Sequence, residues 1–185
     1  FIMCGALIAH SAITLALLAH DISSGYVIAP SHTAPASILG IINAGCTPLF
    51  IDVDSNTALI SFNEIKKKLK SKKNIKAILA VHLYGHGIDI PALVKICRPF
   101  NALVIEDCAQ STGTKIFKKS SGTLAHAGTF SFFPTKNLPA LGDGGGVWVP
   151  TKKLQLKIES LRQYGWNQKR IVTLENGMNS RLDEL

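Results

Sequence analysis

The chain has 185 residues, and 46% of them are hydrophobic, so it is long enough to bury a substantial core. Its formal net charge is +8, but the lysine-rich segment 64–76 lacks the arginines and interleaved aromatic residues of a nucleic-acid groove, so we interpret it as a solvated helix face. The four scattered cysteines form no CxxC pair, which argues against a metal or disulfide framework and predicts reduced thiols in a cytoplasmic protein.

The N-terminal segment 1–21 is apolar enough to raise the question of a membrane span. It begins without a cationic stretch and contains Gly5, His10, Ser11 and Thr14, so no run of eighteen apolar residues occurs. A buried helix, centred on residues 12–19, is the better interpretation. We therefore expect no membrane partner.

Strands and helices alternate along the rest of the chain. The pattern predicts strands at 26–30, 47–54, 75–85, 102–109, 128–135 and 145–150, and further helices at 37–45, 61–70, 89–100 and 152–165. Ser61 and Glu64 have the spacing of a capping box. Several strands are continuous apolar runs, which are typical of a mainly parallel sheet flanked by helices on both faces. The predicted fold class is therefore α/β.

Ligands of such sheets bind beyond the carboxyl ends of the strands. The polar residues that directly follow predicted strands are therefore candidates for a site. They are Ser31, His32, Thr33, Asp52, His82, Asp107 and Gln110.

Lys136 stands in the apolar and aromatic stretch GTFSFFPTKNLPALGDGGG, outside the lysine-rich segment. Partial desolvation there disfavours the ammonium form, and the neutral amine is the form that makes a Schiff base with a carbonyl. A surface lysine in a loop is the alternative interpretation.

Asp107 ends an apolar strand directly after a second carboxylate, Glu106. A carboxylate at a strand end can pair with a pyridinium nitrogen, and together with a Schiff-base lysine it is what proteins contribute to pyridoxal phosphate chemistry. Taken alone, Asp107 is equally suited to cap a helix or to form a salt bridge. We expect Glu106 to point to the other side of the strand.

Ser131 and the glycine-rich GDGGG segment are candidates for binding a phosphate. Hydroxyl and backbone N–H groups can hold a phosphate, although a glycine run is also what a tight turn before a strand requires. The segment is not a GxxxxGK[ST] motif, so it does not predict a nucleoside triphosphate site.

Six segments in order resemble the DegT/DnrJ/EryC1/StrS family of pyridoxal 5'-phosphate-dependent sugar aminotransferases: HLYG, IEDCAQSTG, FSFFPTKNL, GDGGG, LRQYG and GMNSRLDEL. The resemblance implies the aspartate aminotransferase-like fold (fold type I) and a homodimer whose active sites are shared between subunits. Because the family's C-terminal small domain is absent, we expect residues 1–185 to form the cofactor-binding large domain of a longer chain.

The resemblance also implies roles for individual residues. Lys136 would be the catalytic Schiff-base lysine and Asp107 the partner of the pyridine nitrogen. Gln110 would lie beside the ring hydroxyl, and Ser131 would bind the phosphate. Asn179 would reach the phosphate bound to the neighbouring subunit. No metal ligand is implied.

The chain departs from the family pattern at two places. Ile8 to His10 stand where the family has a phosphate loop of small and hydroxyl-bearing residues, and Ala34 stands where an aromatic residue stacks on the cofactor ring.

The predicted reaction is transfer of an amino group, by analogy from glutamate, to the 3- or 4-keto carbon of a nucleotide-linked sugar. Since some relatives have histidine in place of Lys136 and dehydrate instead, its presence favours transamination. The alternative is a non-catalytic remnant that binds cofactor weakly or only dimerises.

Overall fold

The computed structural model describes residues 3–6 and 8–182, which fold as helices on both faces of one large sheet. The helices are α1 (Ala9–Ala19), α2 (Pro35–Asn43), α3 (Phe62–Ser71), α4 (Ile90–Cys97) and α5 (Lys152–Leu161). The strands are β1 (Met3–Ala6), β2 (Tyr26–Pro30), β3 (Thr47–Ile51), β4 (Ile75–Val81), β5 (Leu103–Asp107), β6 (Lys115–Ile116), β7 (Lys119–Ser120), β8 (Ala127–Ser131) and β9 (Gly145–Trp148).

The large sheet has seven strands in the order β1-β9-β8-β5-β4-β2-β3. Its pairs from β8 through β5, β4 and β2 to β3 are all parallel, whereas β9 runs antiparallel to both β8 and β1. The predicted mainly parallel α/β sheet is therefore confirmed. Strands β6 and β7 form a separate antiparallel pair.

Strand β4 shows why the sheet needs a helical layer on each side. Its side chains alternate, so that Leu79 joins the apolar cluster that contains most of α1, and Ile78 joins the cluster formed with α3 and α4. Both side chains are almost completely buried. A strand that is buried on both faces therefore consists of a continuous run of apolar residues in the sequence.

Helix α1 lies inside the first of these clusters. Every residue from Ser11 to Ala19 is buried, which confirms the prediction of a buried helix in the N-terminal segment. None of the helices in the described ranges is long and apolar enough to cross a membrane.

The lysine-rich segment forms α3 and the turn that follows it. Ile65 and Leu69 are buried on one side of this helix, and Lys66, Lys67 and Lys70 are exposed. This is the solvated helix face that the sequence predicts. The predicted cap is also present, because the Ser61 side chain accepts a hydrogen bond from the backbone N–H of Glu64 at 3.4 Å.

The first turn of α1 packs directly against the start of β9. A Cβ atom on Gly145 would lie 2.9 Å from the carbonyl oxygen of Ile8, so only glycine permits this approach. Residue Gly145 also pairs with Ser131 at the carboxyl end of β8. The N-terminus of α1 is thereby brought to the edge of the sheet where ligands of α/β proteins bind.

Candidate active site

A cavity of about 280 Å³ lies at the carboxyl ends of β5 and β8. Its size is near the lower limit of ordinary small-molecule pockets, about 300 Å³. The walls come from the first turns of α1 and α2, the ends of β5 and β8, and the segment 133–144. The cavity brings together three of the predicted site residues: Asp107, Ser131 and Lys136.

Asp107 is the most constrained of the three. Its side chain is buried, and each carboxylate oxygen accepts one hydrogen bond. The backbone N–H of Ala109 donates to Oδ1 at 3.0 Å, and the Ser37 hydroxyl donates to Oδ2 at 2.7 Å. These donors offset the cost of burying the carboxylate and hold its plane in place.

Lys136 is half-buried and its amine is uncommitted. Its backbone N–H donates to the Phe133 carbonyl at 2.8 Å, which fixes the turn that carries the side chain. Within residues 3–6 and 8–182, no hydrogen bond or ion pair engages its ammonium group. The amine is therefore free to react with a ligand in the cavity.

Ser131 is buried at the end of β8, with only 2% of its surface exposed. Its oxygen accepts a long hydrogen bond, 3.4 Å, from the backbone N–H of Phe133. The hydroxyl hydrogen has no acceptor in the part of the chain that the structure describes, so it remains available to a ligand oxygen.

The first turn of α1 adds further donors. The first bond of the helix runs from the Ala12 N–H to the Ile8 carbonyl, which leaves the preceding N–H groups without intrahelical acceptors. Ala9 and His10, from this turn, line the cavity beside Ser131. A helix N-terminus of this kind attracts anions such as phosphate.

The two departures from the family pattern also lie at the cavity. Ile8, His10 and Ala34 all line it, so the substituted positions are the ones that would touch a ligand. Ala34 is the N-terminal cap of α2 and offers no ring. One aromatic side chain, Phe133, does line the cavity and is 47% exposed.

Glu106 points to the other side of β5, as predicted. Its side chain is fully buried, and Oε1 accepts from the N–H groups of Leu124 and Ala125 at 2.8 and 2.9 Å. Oε2 accepts from the Gly122 N–H at 2.8 Å and lies 3.0 Å from Nε2 of His82. The carboxylate therefore binds the loop that precedes β8 to the sheet.

His82 is a fixed neutral partner in this arrangement. Its Nδ1 accepts a hydrogen bond from the Ile88 N–H at 3.1 Å, so the ring hydrogen is on Nε2 and is donated to Glu106. His82, one of the candidates that follow a strand, thus has a structural partner and does not reach the cavity.

His82, Glu106 and Cys108 present ligand-type atoms within 4.8 Å of one another. The His82 and Glu106 atoms are already engaged in the hydrogen bonds described above. Burial, reinforced by the neighbouring Glu106 charge, raises the pKa of the Cys108 thiol well above its ordinary value, whereas a metal requires the thiolate. We interpret the three residues as a hydrogen-bonded part of the core.

Gln110 and Asn179 are not brought to the cavity. The Gln110 side chain turns away to accept a hydrogen bond from the Tyr84 N–H at 2.8 Å. Asn179 is exposed, and its Oδ1 accepts from Nε of Arg181 at 3.1 Å. The cofactor-binding roles implied for these two residues stay predictions.

Sequence reasoning overlooked two polar residues of the cavity, Ser37 and Asp143. Ser37 is the only hydroxyl-bearing residue in the apolar segment 34–42, which begins where a helix follows a predicted strand. That isolated position was a usable signal. Asp143 lies inside the GDGGG segment, for which only the glycine backbone had been interpreted as a phosphate-binding element.

Comparison with known proteins agrees with this architecture. Residues 8–185 match the model of the DegT/DnrJ/EryC1/StrS aminotransferase family. The chain is 39% identical over 176 residues to a UDP-N-acetyl-3-dehydro-alpha-D-glucosamine 3-aminotransferase of Acidithiobacillus ferrooxidans. It is 45% identical over 175 residues to a dTDP-3-amino-3,6-dideoxy-alpha-D-galactopyranose transaminase of Aneurinibacillus thermoaerophilus. Each alignment covers 94% of this chain and 47% of the relative.

The crystal structure of S. venezuelae DesV, in complex with a ketimine intermediate, superposes with a TM-score of 0.92 at 34% identity. The match covers 98% of this chain and 48% of DesV, so the chain spans about half the length of these relatives. The large-domain fold expected from the resemblance is confirmed. The chain belongs to the DegT/DnrJ/EryC1/StrS aminotransferase family.

Proposed function

We propose that the protein is a pyridoxal 5'-phosphate-dependent aminotransferase that acts on a keto-sugar nucleotide, with glutamate as the amino donor. The observation that carries this proposal is the cavity itself. It places an uncommitted amine on Lys136, a clamped carboxylate on Asp107 and a buried hydroxyl on Ser131 around one space of ligand size.

The donor set fits the three functional parts of this cofactor. The amine of Lys136 suits its carbonyl, the carboxylate of Asp107 suits its ring nitrogen, and the Ser131 hydroxyl suits its phosphate. The N–H groups at the start of α1, near Ala9 and His10, supply further donors to the phosphate.

Each of these residues would have a distinct task in the reaction. The bound cofactor supplies an electron sink for the substrate's carbon atom. Asp107 keeps the ring nitrogen in its cationic form. Lys136 would hold the cofactor through its amine, and the same amine, when free, would accept and return the proton on the reacting carbon.

The substrate class is proposed from the relatives. The two relatives described above are named for amino transfer on UDP- and dTDP-linked sugars. Both names place the amino group at position 3 of the sugar. A keto group on a nucleotide-linked sugar is therefore the acceptor that we propose for this protein.

We also propose that the protein is a cytoplasmic homodimer. Phe133, Leu138 and Leu141, from the segment that carries Lys136, are 47%, 55% and 87% exposed. Such apolar side chains favour a partner surface, and a second copy of the chain fits the shared sites that the family resemblance implies. The four cysteines are all buried and unpaired, as expected in a reducing compartment.

A non-catalytic remnant is the second candidate. It is favoured by Ala34, which offers no ring to the cofactor, and by the first turn of α1, where Ile8 to His10 bring no hydroxyl to the phosphate.

Cofactor trapping on Lys136 tests the proposal. The protein is mixed with pyridoxal 5'-phosphate, its absorbance is recorded, and the linkage is reduced with borohydride and located by peptide mapping. We expect a visible band and a label on Lys136, and loss of both in Lys136→Ala. Lys70→Ala, which removes an exposed lysine of α3, should change neither.

Glutamate then separates the two candidates. An aminotransferase should lose the visible band when glutamate is added, because the amino group passes to the cofactor. If Lys136 is labelled but the visible band of the unreduced protein persists when glutamate is added, the remnant is favoured. Label spread over the surface lysines would refute the site assignment.

A further inference from the structure

We propose that Ser37 is a positioning residue that orients the Asp107 carboxylate toward the ring nitrogen of the cofactor, and that Thr33 supports it in this task. This inference rests on the proposed function and adds two residues to its site. It is carried by a chain of hydrogen bonds that runs from the loop after β2 to the end of β5.

The direction of every bond in this chain is fixed. The Ser37 side chain is 3% exposed and lies 2.7 Å from Oδ2 of Asp107. A carboxylate can only accept, so Ser37 must give its single hydroxyl hydrogen to Asp107. The lone pair of Ser37 then accepts from the Thr33 hydroxyl at 3.0 Å.

Two separate elements therefore hold one carboxylate. Ser37 in α2 binds Oδ2, and the backbone N–H of Ala109, in the turn after β5, binds Oδ1. With one donor on each oxygen, rotation of the carboxylate would break both bonds.

The hydroxyl of Ser37 has no evident use in its own helix. Alanine is the better helix former at such a position, and the N-terminal cap of α2, Ala34, forms no side-chain bond. The backbone of Ser37 is fixed separately, because its N–H donates to the Ala34 carbonyl at 3.0 Å. The side chain instead spans the gap to β5 and ends at the cavity, which Ser37 also lines.

The test compares two ligands whose only difference is the ring nitrogen. Binding of pyridoxal 5'-phosphate and of its 1-deaza analogue, which has carbon in place of that nitrogen, is titrated by absorbance. We expect Ser37→Ala to weaken the binding of pyridoxal 5'-phosphate about tenfold, which is the low end for a lost hydrogen bond to a charged group. The binding of the analogue should weaken less than about twofold. The difference arises because only the first ligand needs an oriented carboxylate.

Ser160→Ala is the matched control. It removes a hydroxyl that donates at 2.7 Å to the Trp166 carbonyl, outside the cavity, so it should leave both affinities unchanged. Thermal unfolding of each variant checks that it is folded. If Ser37→Ala does not fold, Thr33→Val replaces it in the test. We expect this variant to lose about threefold in affinity for pyridoxal 5'-phosphate and less for the analogue, because Ser37 itself is retained.

The outcomes separate this inference from the function on which it rests. If the unsubstituted protein binds neither ligand, the proposed function is refuted and the role of Ser37 with it. In two further outcomes the unsubstituted protein binds pyridoxal 5'-phosphate, while the Ser37 variant either loses the same affinity for both ligands or loses no affinity for either. In both cases Ser37 is not a positioning residue, although the proposed function stands.

Discussion

The two adjacent carboxylates at the end of β5 have opposite surroundings. Asp107 faces the cavity with one donor on each oxygen, whereas Glu106 faces a closed interior with four partners. Successive side chains of a strand point to opposite sides, so one residue step separates the carboxylate that lines the cavity from the carboxylate that holds a buried loop. Glu106 holds the loop before β8, and β8 carries Ser131.

Replacing Glu106 with glutamine tests this structural role. Glu106→Gln keeps the shape but substitutes an amide NH2 for one acceptor oxygen, so at least one buried N–H loses its partner. We expect the free energy of unfolding to fall by about 3 kcal/mol, measured by urea denaturation. Glu64→Gln is the control, because its exposed pair with Lys67 contributes less than about 1 kcal/mol. Equal effects of both substitutions would contradict the role given to Glu106.

At the scale of elements, the sequence predicted the helices with clear start signals best. The prediction for α3 began at Ser61, where the cap was found, whereas α1 begins at Ala9, three residues before the predicted start. Its N-terminal cap, Ile8, makes no side-chain hydrogen bond, so the sequence carries no start signal there. Strand β1 was missed because four residues in an apolar segment show no period of their own.

The residue that caps the C-terminal end of helix α1, His20, opposes folding when it is charged. Burial, with a smaller effect from His126 and from Lys157, lowers the pKa of His20 from 6.5 to about 4, and Asp21 opposes this shift. Its Nδ1 lies 3.2 Å from the Ala16 carbonyl. The unfolded chain therefore binds more protons than the folded chain between pH 6.5 and pH 4.

The consequence is a loss of stability on acidification. The contribution of His20 is fully present above pH 6.5 and is lost as the pH falls toward 4, by up to about 3 kcal/mol. We expect His20→Gln to flatten the decline of unfolding free energy over this range, measured by urea denaturation at a series of pH values. His32→Gln, at an exposed position, should keep the decline of the unsubstituted protein. An unchanged slope in His20→Gln would show that His20 is not its source.

At the scale of the whole molecule, the sequence predicted the layers and the end of the sheet where the cavity lies, but not every side chain that lines the cavity. Continuous apolar runs are enough to predict a sheet covered on both faces, and the strand ends then locate Asp107. Ser131 lies inside the predicted strand 128–135, so it was found through its hydroxyl and the family resemblance and not through the strand ends. The Gln110 side chain could not be placed, because its partner is a backbone N–H of a turn 26 residues earlier in the chain. Local patterns carry no information on such long-range contacts.

For Asn179, the contact that local patterns cannot predict is one with a second subunit. It is exposed and does not line the cavity of its own chain, although the family resemblance implies a phosphate contact in the neighbouring subunit. A residue that contacts a ligand only in a second copy does not show that contact within one chain. The proposed homodimer therefore predicts that Asn179 acts across the interface.

Mixed dimers test this prediction. Lys136→Ala and Asn179→Ala chains are given different tags, refolded together and purified through both tags. One site of each mixed dimer then combines Lys136 of the second chain with Asn179 of the first. By symmetry, borohydride labelling should reach about half of the level in the unsubstituted dimer, although each variant alone labels poorly. Labelling no better than that of the Asn179→Ala dimer would mean that Asn179 does not serve its neighbour. Failure to recover any doubly tagged species, when the same procedure is applied to unsubstituted chains, would refute the dimer itself.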